Sequence, residues 1–163
     1  MGDEGDWGAT CKEWLIDEGQ CVAGGLAGLD GVYYACAPGD EGWAMLFKEP
    51  YKKVMAQDDG TEKEETINEA AILAEIGAGK RPAKGLWING EKYTVTRQEN
   101  DEIEGNMVKV AVAGRPKKGV VIYVTSSSII VGMYDESKVA TQNVGNCRKS
   151  VHDFAAYLME SGY

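Results

Sequence analysis

An excess of basic charge, zinc-type cysteine spacing and long apolar runs are all missing from this 163-residue sequence, and each absence removes a class of function. Lysine and arginine number 17 against 26 aspartates and glutamates, for a net charge of −9. Proteins that grip a phosphate backbone need clustered cations to release its counterions, so no nucleic-acid partner is expected. Cys11, Cys21, Cys36 and Cys147 are widely spaced, form no CxxC pair and share the chain with a single histidine. They make neither a zinc signature nor a redox motif and read as small buried thiols, with no metal and no cofactor implied. No apolar run approaches the length of a membrane span, and Met1–Asp6 is neither basic nor followed by the apolar core of a signal peptide. A cytoplasmic location is the expectation.

Two catalytic readings fail on missing residues. Gly77-Ala78-Gly79-Lys80 invites a phosphate-loop assignment, but Ala74 stands at the first glycine position and Arg81 where Ser or Thr is needed. A Cys-His hydrolase would use His152 as base, yet Cys11 and Cys147 fall on apolar helix stripes and His152 lies off its own. No catalytic residue is assigned and no enzyme is expected.

What is present suffices for one folded domain over residues 1–163: 44% apolar residues build a sizeable core at this length. Acidity is concentrated in residues 1–66, at −10, while residues 67–163 carry +1. That asymmetry fits a protein partner met by local complementarity, or simply an acidic surface that favours solubility.

Trp7, Cys11, Trp14 and Leu15 recur at helical spacing and predict an amphipathic helix over 7–18, ended by Gly19. Apolar runs at 21–27 and 32–37, divided by Asp30-Gly31, predict a β-hairpin. Pro38–Gly42 reads as a polar loop before a short helix marked by Trp43, Leu46 and Phe47. Residues from about 50 to 66 are nearly all polar around an Asp59-Gly60 turn and predict a projecting arm. Thr66 and Glu69 have capping-box spacing for a helix to about Ile76. Period-two runs at 86–88, 93–96, 107–113, 120–124 and 129–133 predict five strands joined by short connections, among them Glu99–Gly105, hence antiparallel neighbours. Cys147, Val151, Phe154, Ala155 and Leu158 define a last amphipathic helix that covers the sheet. The expectation is an α+β domain: an antiparallel meander with the terminal helices on one face and short helices on the other.

With that order of elements, the run Asp6-Trp7-Gly8-Ala9-Thr10-Cys11-Lys12-Glu13-Trp14-Leu15, the centre Leu86-Trp87-Ile88-Asn89-Gly90-Glu91-Lys92-Tyr93 and the terminus Tyr157-Leu158-Met159-Glu160-Ser161-Gly162-Tyr163 resemble the profilins. The insertion before Thr66-Ile67-Asn68-Glu69-Ala70 resembles the extra hairpin of the apicomplexan branch; the acidic loop of that branch is represented only by Gly39-Asp40-Glu41-Gly42. The resemblance implies a monomeric, non-enzymatic regulator of actin polymerisation, associated with the cytoskeleton. It would bind monomeric actin and, at a second site, the proline-rich segments of regulators such as formins.

By the same resemblance a polyproline groove would involve Trp7, Thr10, Tyr34, Tyr157, Leu158 and Tyr163; Tyr157 stands where many relatives carry His, and Thr10 where Tyr is common. Trp7 and Tyr157 read equally as packing between helices, but an aromatic ring at Tyr163 gains little unless it packs beside Trp7. The actin-facing set implied is Lys92, Arg97, Lys117, Lys118, Asn146 and Arg148, with the Glu62–Glu65 arm as a further contact; Lys117 and Lys118 also read as a solvated hairpin loop. Basic clusters exist only at Lys80-Arg81 with Lys84 and at Arg115 with Lys117 and Lys118, so weak phosphoinositide binding is expected. A trafficking adaptor with a similar sheet and no affinity for actin is the alternative.

Overall fold

The computed structural model describes residues 7–163, so the reading of Met1–Asp6 lies outside the described residues. Helix α1 (Trp7–Cys11) continues into a π-helical turn over Lys12–Ile16. Strands β1 (Ala23–Ala27) and β2 (Tyr33–Ala37) form the first hairpin, followed by helix α2 (Gly39–Leu46). Strands β3 (Tyr51–Ala56) and β4 (Glu62–Ile67) pair with each other as a separate two-stranded sheet. Helix α3 (Glu69–Gly77) leads to β5 (Leu86–Ile88), β6 (Glu91–Ile103), β7 (Asn106–Arg115), β8 (Lys118–Val124) and β9 (Ile129–Asp135), and the chain closes with helix α4 (Val144–Glu160).

The seven strands of the main sheet run β2-β1-β9-β8-β7-β6-β5, with every neighbour antiparallel. Alternation of side chains divides them between two apolar layers. Leu15, Phe154, Val151 and Leu158 of the terminal helices pack on Val110, Val121, Tyr123 and Ile130. On the opposite face Leu46, Leu73 and Ile76 meet Tyr93, Ala111, Ile122 and Ile129. This is the expected α+β arrangement, with the terminal helices on one face and α2 and α3 on the other.

Three local readings change. The polar segment after Pro38 is the first turn of α2, not a loop; Asp40 and Glu41 sit there, where acidic side chains complement the helix dipole without leaving an apolar signature. Helix α3 is capped by Asn68, whose Oδ1 accepts the Ala71 N–H at 3.1 Å, whereas Thr66 belongs to β4. Glu69 is thereby free of the capping box and turns inward. Finally, Glu99–Ile103 is strand, not connection: β6 pairs with β7 from Thr94↔Gly114 to Ile103↔Asn106.

Two bulges explain why the alternation was hard to follow. Leu26 faces Ala35 and Ala27 faces Tyr33, which leaves Tyr34 as the extra residue of β2. Val95 faces Ala113 and Arg97 faces Val112, which leaves Thr96 as the extra residue of β6. A bulge shifts the phase of a strand by one residue. Odd positions Tyr93 and Val95 therefore lie with the α2/α3 layer, and Arg97, Glu99, Asp101 and Ile103 lie on the α4 side.

Candidate functional site

The terminal helices bring two aromatic groups side by side. Trp7 meets Tyr163 edge to face, with ring centroids 4.9 Å apart at 84°. Trp14 stacks on Tyr157 at 4.9 Å and 26°, with Phe154 beneath at 6.1 Å. Tyr163 holds its place because Gly162, at φ 93°, turns the chain back after α4, so that the Tyr163 N–H donates to the Leu158 carbonyl at 2.8 Å. A left-handed residue at a helix end is most readily glycine. The bulge presents Tyr34 on the same side, its hydroxyl 2.8 Å from Ser128 Oγ. Burial, the largest influence, raises the Tyr34 pKa, so the group keeps its proton as a potential donor.

Tyr34, Tyr157 and Tyr163 are each about two-fifths exposed, at 45%, 38% and 41%. Such half-exposed rings reach the surface instead of closing into the core, as the walls of a candidate cleft would. Thr10 is half-buried in α1 on this helix pair. Leu158 is buried at 1% and supports the cleft from below instead of lining it. Trp14 was passed over as a site residue, although its place seven residues after Trp7 puts both indoles on one helical stripe.

The cationic residues do not form one surface. Lys92 and Arg97 are exposed on the α4 side of β6, and Asn146 and Arg148 come from the first turns of α4. Lys118 lies on the α2/α3 side, where its Nζ meets Glu91 Oε1 at 2.6 Å; Arg115 joins the same carboxylate at 3.6 Å. Lys117 is the exposed tip of the β7-β8 turn. The structure thus brings Arg97 and Arg148 together at Glu99, places Asn146 just before Arg148 on α4 and Lys92 at the start of β6 beside Arg115, and puts Lys118 on the other face.

Arg148 is already engaged within the chain. Its Nη2 is 2.9 Å from Glu99 Oε2 and 3.7 Å from Asp101 Oδ2, and its Nε donates to the Tyr123 hydroxyl at 3.1 Å. Tyr123 donates in turn to Asp101 at 2.7 Å. That hydrogen bond is the main cause holding the Asp101 carboxyl below its ordinary pKa, with Arg148 assisting. Burial, reinforced by Asp101, pushes the Tyr123 hydroxyl up to about 12. Arg97 reaches the same Glu99 at 3.9 Å. Glu99 and Asp101 carried no sequence signal because their orientation depends on the bulge at Thr96.

At the base of the β3-β4 hairpin, Glu69 is buried at 6% exposure. Its carboxylate accepts the Tyr51 hydroxyl at 2.7 Å and the N–H groups of Asn89 and Gly90 at 2.7 and 2.8 Å. One side chain therefore ties the hairpin, α3 and the β5-β6 turn together. A second tie runs from Lys84 to Glu65 at 2.6 Å.

The remaining basic clusters are partly committed, Arg81 to the Val95 carbonyl and Lys84 to Glu65. Gly77–Lys80 sits at the C-terminal end of α3, where the Ala78 N–H bonds back to the Ala74 carbonyl. The helix dipole there repels phosphate. His152 packs edge-on to Tyr123 and pairs with Asp153, while Cys147 contacts Cys21 and the Gly132 carbonyl. Among the described residues no group of three or more His, Cys, Asp or Glu is arranged to hold a metal, and no helix is long and apolar enough to cross a membrane.

The fold is thus a sheet covered by helices on both faces, with exposed aromatic rings at its terminal helices and charged residues on β6 and α4. The profilin family model matches residues 5–163. The chain is 35% identical to profilin of Plasmodium falciparum over 172 aligned positions, covering 99% of both chains, and 28% identical to profilin of Plasmodium berghei over 98% of this chain and 96% of that one. Among solved structures it is similar to Acanthamoeba castellanii profilin IA, with a TM-score of 0.64 at 21% identity, covering 97% of this chain and all of that one. It is also similar to mouse profilin IIa in complex with a double repeat from the FH1 domain of mDia1, with a TM-score of 0.60 at 16% identity, covering 97% and 99%. The chain belongs to the profilin family, a family of non-enzymatic actin-binding proteins, and is of the apicomplexan type.

Proposed function

We propose that this profilin binds monomeric actin and, through the cleft between its terminal helices, proline-rich segments of formin-type actin regulators in the cytoplasm. The observation that carries the reading is the Trp7–Tyr163 pair beside half-exposed Tyr34 and Tyr157. A polyproline helix offers flat ring faces and outward carbonyls, and is received by aromatic rings with a few donors among them. Trp7, Trp14, Tyr157 and Tyr163 supply the rings, and the Tyr34 hydroxyl supplies a donor. The mouse relative was solved with an FH1 repeat, which supports the same ligand class here.

For actin, the surface favoured by geometry is the outer face of β6 with the start of α4, carrying Lys92, Arg97, Asn146 and Arg148. Cations there meet acidic patches on a partner and accelerate encounter, while apolar contacts provide most of the affinity. Lys117 stands exposed at the tip of the β7-β8 turn, Lys118 lies on the other face at Glu91, and the β3-β4 hairpin is a further contact. Phosphoinositide binding is weak, because the basic clusters are few and partly paired on a molecule of charge −9.

Sedimentation of actin filaments with increasing protein tests the actin half. The expected result is a rise in the unpolymerised fraction, lost in the Lys92→Glu/Arg97→Glu double variant and retained in Lys118→Glu. No change with the folded wild-type protein contradicts the reading and favours an adaptor that does not bind actin.

A further inference from the structure

All four cysteines are buried free thiols, and two of them touch. The sulfurs of Cys21 and Cys147 lie 3.5 Å apart although the residues are separated by 126 positions. Cys21 belongs to the segment between the first helix and β1, and the N–H of the next residue, Val22, donates to the Met133 carbonyl at 2.8 Å. Cys147 lies in the first turn of α4, its N–H donating to Asn143 and its sulfur 3.5 Å from the Gly132 carbonyl. Gly132 of β9 opens the slot that holds both. A Cβ there would stand 3.2 Å from the Cys21 sulfur, 3.4 Å from that of Cys147 and 2.5 Å from Val151 Cγ2.

We propose that Cys21 and Cys147 form a redox modification site, oxidised by hydroperoxides to a disulfide that ties the segment before β1 to the first turn of α4. In the first step the Cys21 thiolate attacks one peroxide oxygen and the O–O bond breaks. Cys21 becomes a sulfenic acid, and the departing hydroxide takes up a proton as water. The Cys147 sulfur then attacks the sulfenic sulfur; the S–S bond forms, the S–O bond breaks, and the thiol proton leaves with the second water. Two thiols and one hydrogen peroxide give one disulfide and two waters.

Geometry assigns the order. Cys21 lies in the coil segment before β1 and Cys147 within α4, so opening of the coil segment admits the peroxide to Cys21 first. The contact with Cys21, followed by burial, holds the Cys147 thiol well above its ordinary pKa, which suits a group that gives up its proton only when the sulfenic acid is beside it. Bond formation needs the sulfurs to close to about 2.0 Å, a movement shared by a coil segment and a helix's first turn. Cys11 and Cys36 serve as internal references: both are buried and neither shares the Cys21–Cys147 sulfur contact, so both are expected to stay reduced.

The link closes a loop spanning most of the chain, so it removes freedom mainly from the unfolded state and raises the unfolding temperature. The test treats the native protein with hydrogen peroxide, removes the excess, blocks free thiols under denaturing conditions and maps the peptides. The expected result is a Cys21–Cys147 peptide lighter by two hydrogens, alkylated Cys11 and Cys36, and a higher unfolding temperature that dithiothreitol reverses. Cys147→Ser and Cys21→Ser, each checked for fold by circular dichroism, should show neither the link nor the shift. Recovery of Cys21 and Cys147 as free thiols or sulfinic acids, or a link joining another pair, overturns the proposal on the wild-type protein alone.

Discussion

Tyr163 shows how much one side chain depends on its neighbours' backbone. Its ring reaches Trp7 only because Gly162 reverses the chain and the Leu158 carbonyl takes its N–H. Tyr163→Ala removes one wall of the cleft and an edge-to-face pair of about 1 kcal/mol. Titration with an oligoproline peptide should show binding weakened about tenfold, with actin binding unchanged. Glu99 makes a different case, since its carboxylate occupies Arg148 and contacts Arg97, and a partner's acidic group must compete with it. Stopped-flow mixing of Glu99→Gln with monomeric actin should give several-fold faster association at low salt, and a smaller gain at high salt. Slower association would show that Glu99 positions Arg148 rather than competing for it. At this scale helical spacing pointed to Trp7, whereas Tyr157 and Tyr163 were named by the family motifs alone; the packing of Tyr163 beside Trp7 is what the structure bears out. The engagement of Arg148 and Lys118 was not legible, because each pairs with a carboxylate distant in sequence, Glu99 and Glu91.

The elements were read most reliably where apolar spacing is strict. All five strands from Leu86 onward and the apolar stripe of α4 follow from period two and period 3.6. The far half of β6 did not, since the bulge at Thr96 breaks the alternation and the residues beyond it are mostly charged. The start of α2 and the cap of α3 were missed for a related reason: polar first turns resemble loops, and Thr66 and Asn68 both precede an acceptable helix. Two predictions belong here. Glu69→Ala leaves the Tyr51 hydroxyl and two backbone N–H groups without their acceptor. The expected cost is about 2–3 kcal/mol in chemical denaturation, with faster amide hydrogen exchange in β3 and β4; an unchanged exchange pattern would show that Lys84–Glu65 alone holds the hairpin. Asp101 links β6, β8 and α4 with a carboxyl pKa depressed chiefly by Tyr123. A depressed folded-state value means that the ionised form stabilises the fold above the ordinary carboxylate pKa, about 3.9, and that this is lost as pH falls through the depressed value. Tyr123→Phe should bring the Asp101 carboxyl carbon titration, followed by NMR, back toward the ordinary range.

Across the whole molecule, the two surfaces that the family resemblance kept apart lie on one face of the sheet, on different elements. The aromatic cleft is built from both terminal helices with β2 beside it, whereas the cationic residues nearest one another line β6 and the start of α4. Helix α4 contributes to both: Asn146 and Arg148 at its first turns, and Tyr157 near its end. On the proposed reading, ligands at the two surfaces meet opposite ends of one helix and are expected to bind together. The charge asymmetry seen in the sequence has the same outcome, with acidity in the first 66 residues and a near-neutral remainder that carries the cationic edge.

The most direct test of this account is a fluorescence titration of the protein's tryptophans by an oligoproline peptide, made with and without saturating monomeric actin. Trp7 and Trp14 pack with Tyr163 and Tyr157, while Trp43 packs on the α2/α3 layer and Trp87 lies in β5 beneath Lys53. The account predicts a saturable change that is abolished in Trp7→Phe/Trp14→Phe and has the same midpoint when actin is bound. No change with the folded protein, or a signal that survives loss of both cleft tryptophans, would contradict it.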